Sequence, residues 1–219
     1  MGDITDIMYT TNGGTTWQTV ANPTVNNLKS VYFVNSNIGW AVGNFGTVLK
    51  TTDGGLNWVQ QSSQTASNFF GVHFFNELTG WAVGANSSIY RTTDGGANWG
   101  MQTSPVAATF YSLDFVDQQR GWIAGSNGTI LKTTDGGSNW IMQASPTNNA
   151  LRSVRALDAS TVYAVGFFGT LVKPTDGVTW QTESIGLSTN CWDVQFLDQN
   201  NGWIAGEDGF IFNARPVTT

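Results

Sequence analysis

The 219-residue chain carries nine Lys plus Arg against fifteen Asp plus Glu, a net charge of -6, with 11% charged and 40% hydrophobic residues. That balance excludes a disordered chain, and the lack of any basic run excludes a nucleic-acid backbone as partner. No apolar run nears the ~18 residues of a membrane-spanning helix, and a single Cys (Cys191) and a single His (His73) give no intrachain disulfide, no thiol–imidazole pair and no metal-ligand set.

In chain order the first feature is a hairpin over residues 7–20, inside "DIMYTTNGGTTW" (6–17); no signal peptide is visible at "MGDITDIMYT". A set of four short runs follows: "LKSVYFV" (28–34), "GWAVG" (39–43), "TVLKTT" (47–52) and "NWVQQ" (57–61), here strands A to D. The set returns as "FFGVHFF", "GWAVG" and "SIYRTTDGGANW" (69–99), then as "FYSLDFV", "GWIAG" and "TILKTTDGGSNW" (110–140). It returns again as "LRSVRAL", "VYAVG" and "TLVKPTDGVTW" (151–180), and ends with "CWDVQFL", "GWIAG" and "FIFN" (191–213). The tryptophans that close the copies, Trp17, Trp58, Trp99, Trp140 and Trp180, stand 41, 41, 41 and 40 residues apart.

Short apolar or alternating runs split by Gly, Asn, Asp and Ser read as strands, and nothing keeps a helical period. Four strands per repeat of about forty residues predict an all-β fold, a β-propeller of four-stranded antiparallel blades. Residues 1–219 are expected to form one domain of five blades: 28–62, 69–103, 110–143, 151–182, and 191–213 completed by 7–20. Pairing the chain ends in one blade would remove an open edge. Strand C occurs six times, one copy more than five blades need, so one is expected to be displaced. Gly2 takes the place of Gly43, and Pro216 that of the box Asp, so the last box has decayed.

Within "GTVLKTTDGGLNW" the chain must reverse between strands C and D. Asp53 can accept bonds from backbone N–H groups of its own turn, and Gly54 and Gly55 can supply positive φ. The equivalent residues Asn12, Asp94, Asp135 and Asp176 are read as turn builders, neither catalysts nor metal ligands. The pattern Ser/Thr-x-Asp-x-Gly-x-x-Trp resembles the Asp-box. Together with "GWAVG" and "GTILKTTDGG" it is similar to the photosystem II stability/assembly factor family. It also resembles the Asp-box repeats of sialidases, xyloglucanases and sortilin-type receptors. The resemblance covers nearly the whole chain and implies the propeller fold. Through the assembly factors it implies a protein that holds membrane-protein intermediates, with no cofactor and no catalysis of its own.

Positions that vary from repeat to repeat are free to build one asymmetric site. The second residue of strand A reads Lys29, Phe70, Tyr111, Arg152, Trp192; the fifth reads Tyr32, His73, Asp114, Arg155, Gln195. The B–C loops add Phe45, Phe167 and Phe168. The expected partner-binding residues are therefore Lys29, Phe45, Phe70, Tyr111, Arg152, Arg155, Phe168 and Trp192, on the face around the central channel. Arginine pairs bidentately with carboxylates and stacks on rings, which suits a protein or peptide partner. The expected function is a non-enzymatic, monomeric interaction module, secreted, periplasmic or in the thylakoid lumen. The alternative is a glycan-binding or glycoside-processing propeller, lectin or sialidase-like. Glycosidase chemistry needs two flanking carboxylates; Asp114, Asp193, Glu207 and Asp208 are the candidates, and nothing in the sequence pairs them. The Phe/Tyr-Arg-Ile-Pro motif of sialidases is absent.

Overall fold

The computed structural model describes residues 6–174, 176, 178–186, 188–198 and 201–214. It is all-β, a five-bladed β-propeller of antiparallel sheets, with short 3-10 turns as the helical elements among the described residues. Gly2 and Pro216 lie outside those residues. The chain divides into two compact units, Met1–Met101 and Gln102–Thr219.

The first unit holds the hairpin β1 (Ile7–Tyr9) and β2 (Gln18–Val20), then two complete blades. Blade one is β3 (Leu28–Phe33), β4 (Gly39–Gly43), β5 (Val48–Thr51) and β6 (Val59–Gln61); blade two is β7 (Phe69–Phe74), β8 (Gly80–Gly84), β9 (Ile89–Thr92) and β10 (Gly100–Met101). The second unit holds blade three, β11 (Phe110–Phe115) to β12 (Gly121–Gly125), β13 (Ile130–Thr133) and β14 (Ile141–Met142). Blade four follows as β15 (Leu151–Ala156), β16 (Val162–Gly166), β17 (Leu171–Pro174) and β18 (Trp180–Glu183). The last sheet has three strands, β19 (Cys191–Asp198), β20 (Asn201–Gly206) and β21 (Ile211–Ala214). Among the described residues β1 and β2 form a two-stranded sheet, so the sixth copy of strand C is β1, held in its own hairpin.

Strand B of the first three blades is covered on both faces, which is why it is apolar without interruption; every residue of β4, β8 and β12 is buried. Alternation along the pleat sends Trp40, with Val42 and Val48, to the trailing face, where they pack with Phe69, Phe74, Tyr90 and Trp99 of blade two. Ala41, Leu49 and Trp58 form the leading face and pack with Ile7 and Val20 of the hairpin. The Trp40 and Phe74 rings stack at 3.5 Å, and the Trp40 indole Nε1 donates to the Gly95 carbonyl at 3.0 Å. In the second unit Tyr163 stacks on Phe196 at 4.0 Å.

The glycine that opens strand B has a specific cause. Gly39, Gly80, Gly121 and Gly202 stand opposite Phe33, Phe74, Phe115 and Phe196 of strand A. A Cβ at Gly80 would lie 2.5 Å from the Phe74 ring, and one at Gly121 the same distance from Phe115. The aromatic ring lies across the bare backbone and leaves no room for a side chain. Blade four states the rule in reverse: strand A carries Ala156, and its partner is Val162.

The C–D turns are held by their acidic residues. Asp94 Oδ1 accepts from the Thr92 hydroxyl at 2.8 Å and from Asn98 N at 2.9 Å, and Oδ2 accepts from Asn98 Nδ2 at 2.8 Å. Asp53 and Asp135 repeat the pattern with Asn57 and Asn139. In the first box Asn12 reverses one polarity: its Nδ2 donates to the Thr16 hydroxyl at 2.8 Å, where the next three boxes place Asn57, Asn98 and Asn139. In the shortened fifth box, that of blade four, Asp176 accepts from Val178 N at 2.9 Å and Thr179 N at 2.5 Å.

The side-chain and backbone bonds from Asn98 hold the Asp94 carboxyl down at about 2, and those from Asn57 and Asn139 lower Asp53 and Asp135. A carboxyl whose folded pKa lies below its unfolded value of about 3.9 stabilises the fold above that pH and loses its contribution as pH falls toward the folded value. Thermal melts should therefore show Tm dropping between about pH 4 and about 2. Asn98→Ala should flatten that drop and lower Tm at neutral pH; an unchanged acid profile would remove these turns from the cause.

Candidate functional site

Strand A carries a β-bulge at the same place in every blade. The ladder with strand B slips between Leu28 and Ser30, Phe69 and Gly71, Phe110 and Ser112, Leu151 and Ser153, and Cys191 and Asp193. The residue passed over is Lys29, Phe70, Tyr111, Arg152 or Trp192. The variable second position of strand A is thus the bulge residue, freed from ladder geometry and re-aimed locally, as bulges beside functional sites do.

In the second unit three of these residues meet. The Arg152 guanidinium carbon lies 3.9 Å from the Tyr111 ring centroid, 5.3 Å from that of Trp192 and 5.7 Å from that of Phe167. Phe167 meets Trp192 edge to face at 5.5 Å and Phe168 at 6.3 Å. Trp192 is 40% exposed, and among the described residues no acidic side chain pairs with Arg152. The planar cation is held by ring faces, an attraction of about 0.5–2 kcal/mol per contact, while its N–H edge keeps its capacity for an acceptor.

Phe168 sits at the crest of the B–C loop with φ 57°, and Phe45 holds the equivalent place in the first unit with φ 56°. The same place is taken by Asn127 and Asp208, residues that tolerate the left-handed region. Phenylalanine there costs on the order of 1 kcal/mol or more. Both rings are 67% exposed, so burial does not offset that cost. Each loop is tied back through its backbone: Phe168 N donates to Asn190 Oδ1 at 3.0 Å and Phe45 N to Asn68 Oδ1 at 2.9 Å. Asn68 and Asn190 just before strand A were invisible as site residues, although their recurrence ahead of that strand could have marked them. Phe168→Asn is expected to raise stability by about 1 kcal/mol, by relieving the backbone, and to weaken partner binding. Urea unfolding beside a binding titration checks both, and loss of stability would contradict the strain.

The other expected binding residues divide between the units. Lys29 and Phe70 are half-buried bulge residues of blades one and two. Arg155 donates from Nη1 to Asp114 Oδ2 at 3.2 Å, and Asp114 is 4% exposed and also accepts from Ala156 N at 2.8 Å. That arginine answers a buried carboxylate one repeat away and holds two blades together, so Arg152 is the one the geometry presents.

Three of the four carboxylates weighed for catalysis, Asp114, Asp193 and Glu207, have structural partners. Asp193 accepts from the Ser153 hydroxyl at 2.7 Å and Glu207 from Asn190 Nδ2 at 2.9 Å. His73 is buried with its ring 4.5 Å from Tyr32. Cys191 is fully buried, and burial pushes its thiol pKa up, away from nucleophilic use. Among the described residues no group of three His, Cys, Asp or Glu could hold a metal. Among the described residues no helix is long and apolar enough to cross a membrane.

Blades with acidic C–D turns define an Asp-box β-propeller, here with one asymmetric cluster of a cation and aromatic rings at its bulge positions. The family model of the photosynthesis system II assembly factor YCF48 matches residues 9–101 and 56–143, together more than half of the chain, and the chain belongs to that family. Two solved structures are similar. YCF48 bound to D1 peptide has a TM-score of 0.71 at 22% identity, with 89% of this chain covered and 65% of that one. YCF48 from Cyanidioschyzon merolae has a TM-score of 0.78 at 16% identity, with 98% and 78% covered. An ancestral GH74 enzyme also aligns, with a TM-score of 0.70 at 18% identity, over 97% of this chain and 35% of that one. At these identities the likeness is one of fold, and the chain spans about two thirds of the length of the D1-bound structure. No curated protein matches the chain.

Proposed function

We propose that the chain is a non-enzymatic photosystem II assembly factor that grips an extended, carboxylate-bearing segment of a partner protein at the Arg152 cluster, in the thylakoid lumen. The observation that carries this reading is a guanidinium cradled by Tyr111, Phe167 and Trp192 with no acidic partner among the described residues. On a chain of net charge -6 such a cation is a local exception, suited to a carboxylate that the rest of the surface repels. The peptide bound in the similar YCF48 structure supports a peptide as ligand class. The non-enzymatic reading is supported by the structural engagement of Asp114, Asp193 and Glu207. The exposed rings of Phe168 and Trp192 supply the apolar contacts that flank a central charged anchor at protein interfaces.

The test is a binding titration with peptides tiling the D1 protein, against the chain and its Arg152→Ala/Trp192→Ala variant. One acidic segment should bind the parent chain, and the variant should lose it while keeping its Tm. Equal binding by the variant would overturn the proposal. Stabilisation by soluble oligosaccharides with every peptide inert would favour a glycan-binding propeller.

A further inference from the structure

The first box keeps the frame of its acidic equivalents and changes one atom of the central side chain. Thr10 plays the part of Thr92: its hydroxyl donates to Asn12 Oδ1 at 2.9 Å and accepts from Gly14 N at 3.0 Å, as Thr92 does with Asp94 at 2.8 Å and Gly96 N at 2.9 Å. Asn12 Oδ1 also accepts from Thr16 N at 3.0 Å, the bond that Asp94 Oδ1 accepts from Asn98 N at 2.9 Å. The Asn12 Nδ2 stands where the acidic boxes carry Oδ2, and it donates to the Thr16 hydroxyl at 2.8 Å. The box of blade four shows the acidic form of that contact, with the Thr179 hydroxyl donating to Asp176 Oδ2 at 2.9 Å.

Asn12 is exposed, as is its equivalent Asp94, and it is followed by Gly13. A glycine after an asparagine leaves no Cβ to hinder attack by its backbone nitrogen on the asparagine's own amide carbon. Gly13 N, having lost its proton, bonds to Asn12 Cγ; the Cγ–Nδ2 bond breaks, and the nitrogen leaves as ammonia with that proton. Water then opens the five-membered imide. Opening at Cγ restores the main chain and leaves aspartate at position 12; opening at the other carbonyl leaves isoaspartate. One water enters and one ammonia leaves, with no oxidant or cofactor. The oxygen that carries the charge during attack, Oδ1, already accepts from the Thr10 hydroxyl and Thr16 N. Two further Asn-Gly pairs lack this freedom. A Cβ at buried Gly128, after Asn127, would meet the Thr147 carbonyl oxygen at 1.8 Å. Gly202, after Asn201, pairs with Phe196 and Ala214, and Asn201 Nδ2 is held by both Asp198 carboxylate oxygens.

We propose that Asn12 is a site of spontaneous modification, at which loss of the amide converts the first box to the acidic form of the later blades. The product fits the frame that is already there. The Thr16 hydroxyl, an acceptor from the amide, turns to donate to the new oxygen, as the Thr179 hydroxyl does to Asp176. Bonds to a carboxylate are stronger than those to an amide, so the reaction runs toward a better-held turn between β1 and β2. The same bonds hold the carboxyls of Asp53 and Asp94 below their ordinary value. A carboxylate at position 12 therefore stabilises the hairpin at neutral pH and loses that contribution as pH falls toward its folded value.

The full chain, incubated in mildly alkaline buffer and followed by peptide mass spectrometry, should convert Asn12 first, with main-chain aspartate among the products, while Asn127 and Asn201 keep their amides. Asn12→Gln, whose longer side chain closes an imide far more slowly, should remain unmodified at this position over the same period. Asn12→Asp should melt above the parent at neutral pH and lose that gain in acid. Earlier conversion of Asn127 or Asn201, isoaspartate as the sole product at position 12, or an Asn12→Asp chain that melts at or below the parent would each overturn the proposal. The reaction is read without peptide, so its failure leaves the Arg152 reading intact.

Discussion

Gly80→Val is expected to cost about 3 kcal/mol or more and to unfold part of the population at ambient temperature. A Cβ at Gly80 falls 2.5 Å from the Phe74 ring, and that ring is itself fixed by Trp40 at 3.5 Å and by Trp99 at 5.8 Å. Overpacking of this kind typically costs 1–3 kcal/mol, more where the neighbour cannot yield. Phe74→Ala alone removes a ring of 1% exposure and should cost about 3–5 kcal/mol. The informative variant is the double one, which copies the Ala156–Val162 pair of blade four. It should be more stable than the two single costs added together, by a coupling of about 1–3 kcal/mol. Urea unfolding of the four proteins measures that coupling; additive losses would show that ring and glycine do not depend on each other.

The second large effect is on binding. Arg152→Ala should weaken peptide binding by about 2 kcal/mol or more, roughly thirtyfold, as truncation of a central arginine anchor does. Arg152→Lys should recover little of that loss. Lysine keeps the charge but lacks the flat fork that stacks on Tyr111 and pairs with a carboxylate through two N–H bonds. Isothermal titration distinguishes the cases; full recovery by lysine would reduce the site to a point charge and make the aromatic cradle incidental.

The propeller was legible in the sequence because its determinants are local and repeat. The period of the closing tryptophans, the buried "GWAVG" strands and the acidic turns each follow from what every blade must do. The bulge was not legible, since Lys29, Phe70, Tyr111, Arg152 and Trp192 share no residue type and a bulge needs none. The position was nevertheless marked by its variability, which brought Tyr111, Arg152 and Trp192 together before their contact was visible. Arg155 looked like a companion to Arg152 because both lie on one strand. Its tie to Asp114 could have been read from one fact: both occupy the fifth place of strand A, one repeat apart, with opposite charge. Tyr32 and His73 meet through the same fifth place in the first unit. The strain at Phe45 and Phe168 was likewise available, because Asn127 and Asp208 in the same loop position announce a left-handed backbone.

The central claim, that a partner carboxylate is received by Arg152, is tested most directly by the arginine Nε–H resonances of the 15N-labelled chain, assigned with Arg152→Lys. On titration with a binding peptide the Arg152 signal should shift and sharpen while that of Arg155, bound to Asp114, stays in place. A saturating peptide that leaves the Arg152 resonance unmoved would contradict the account.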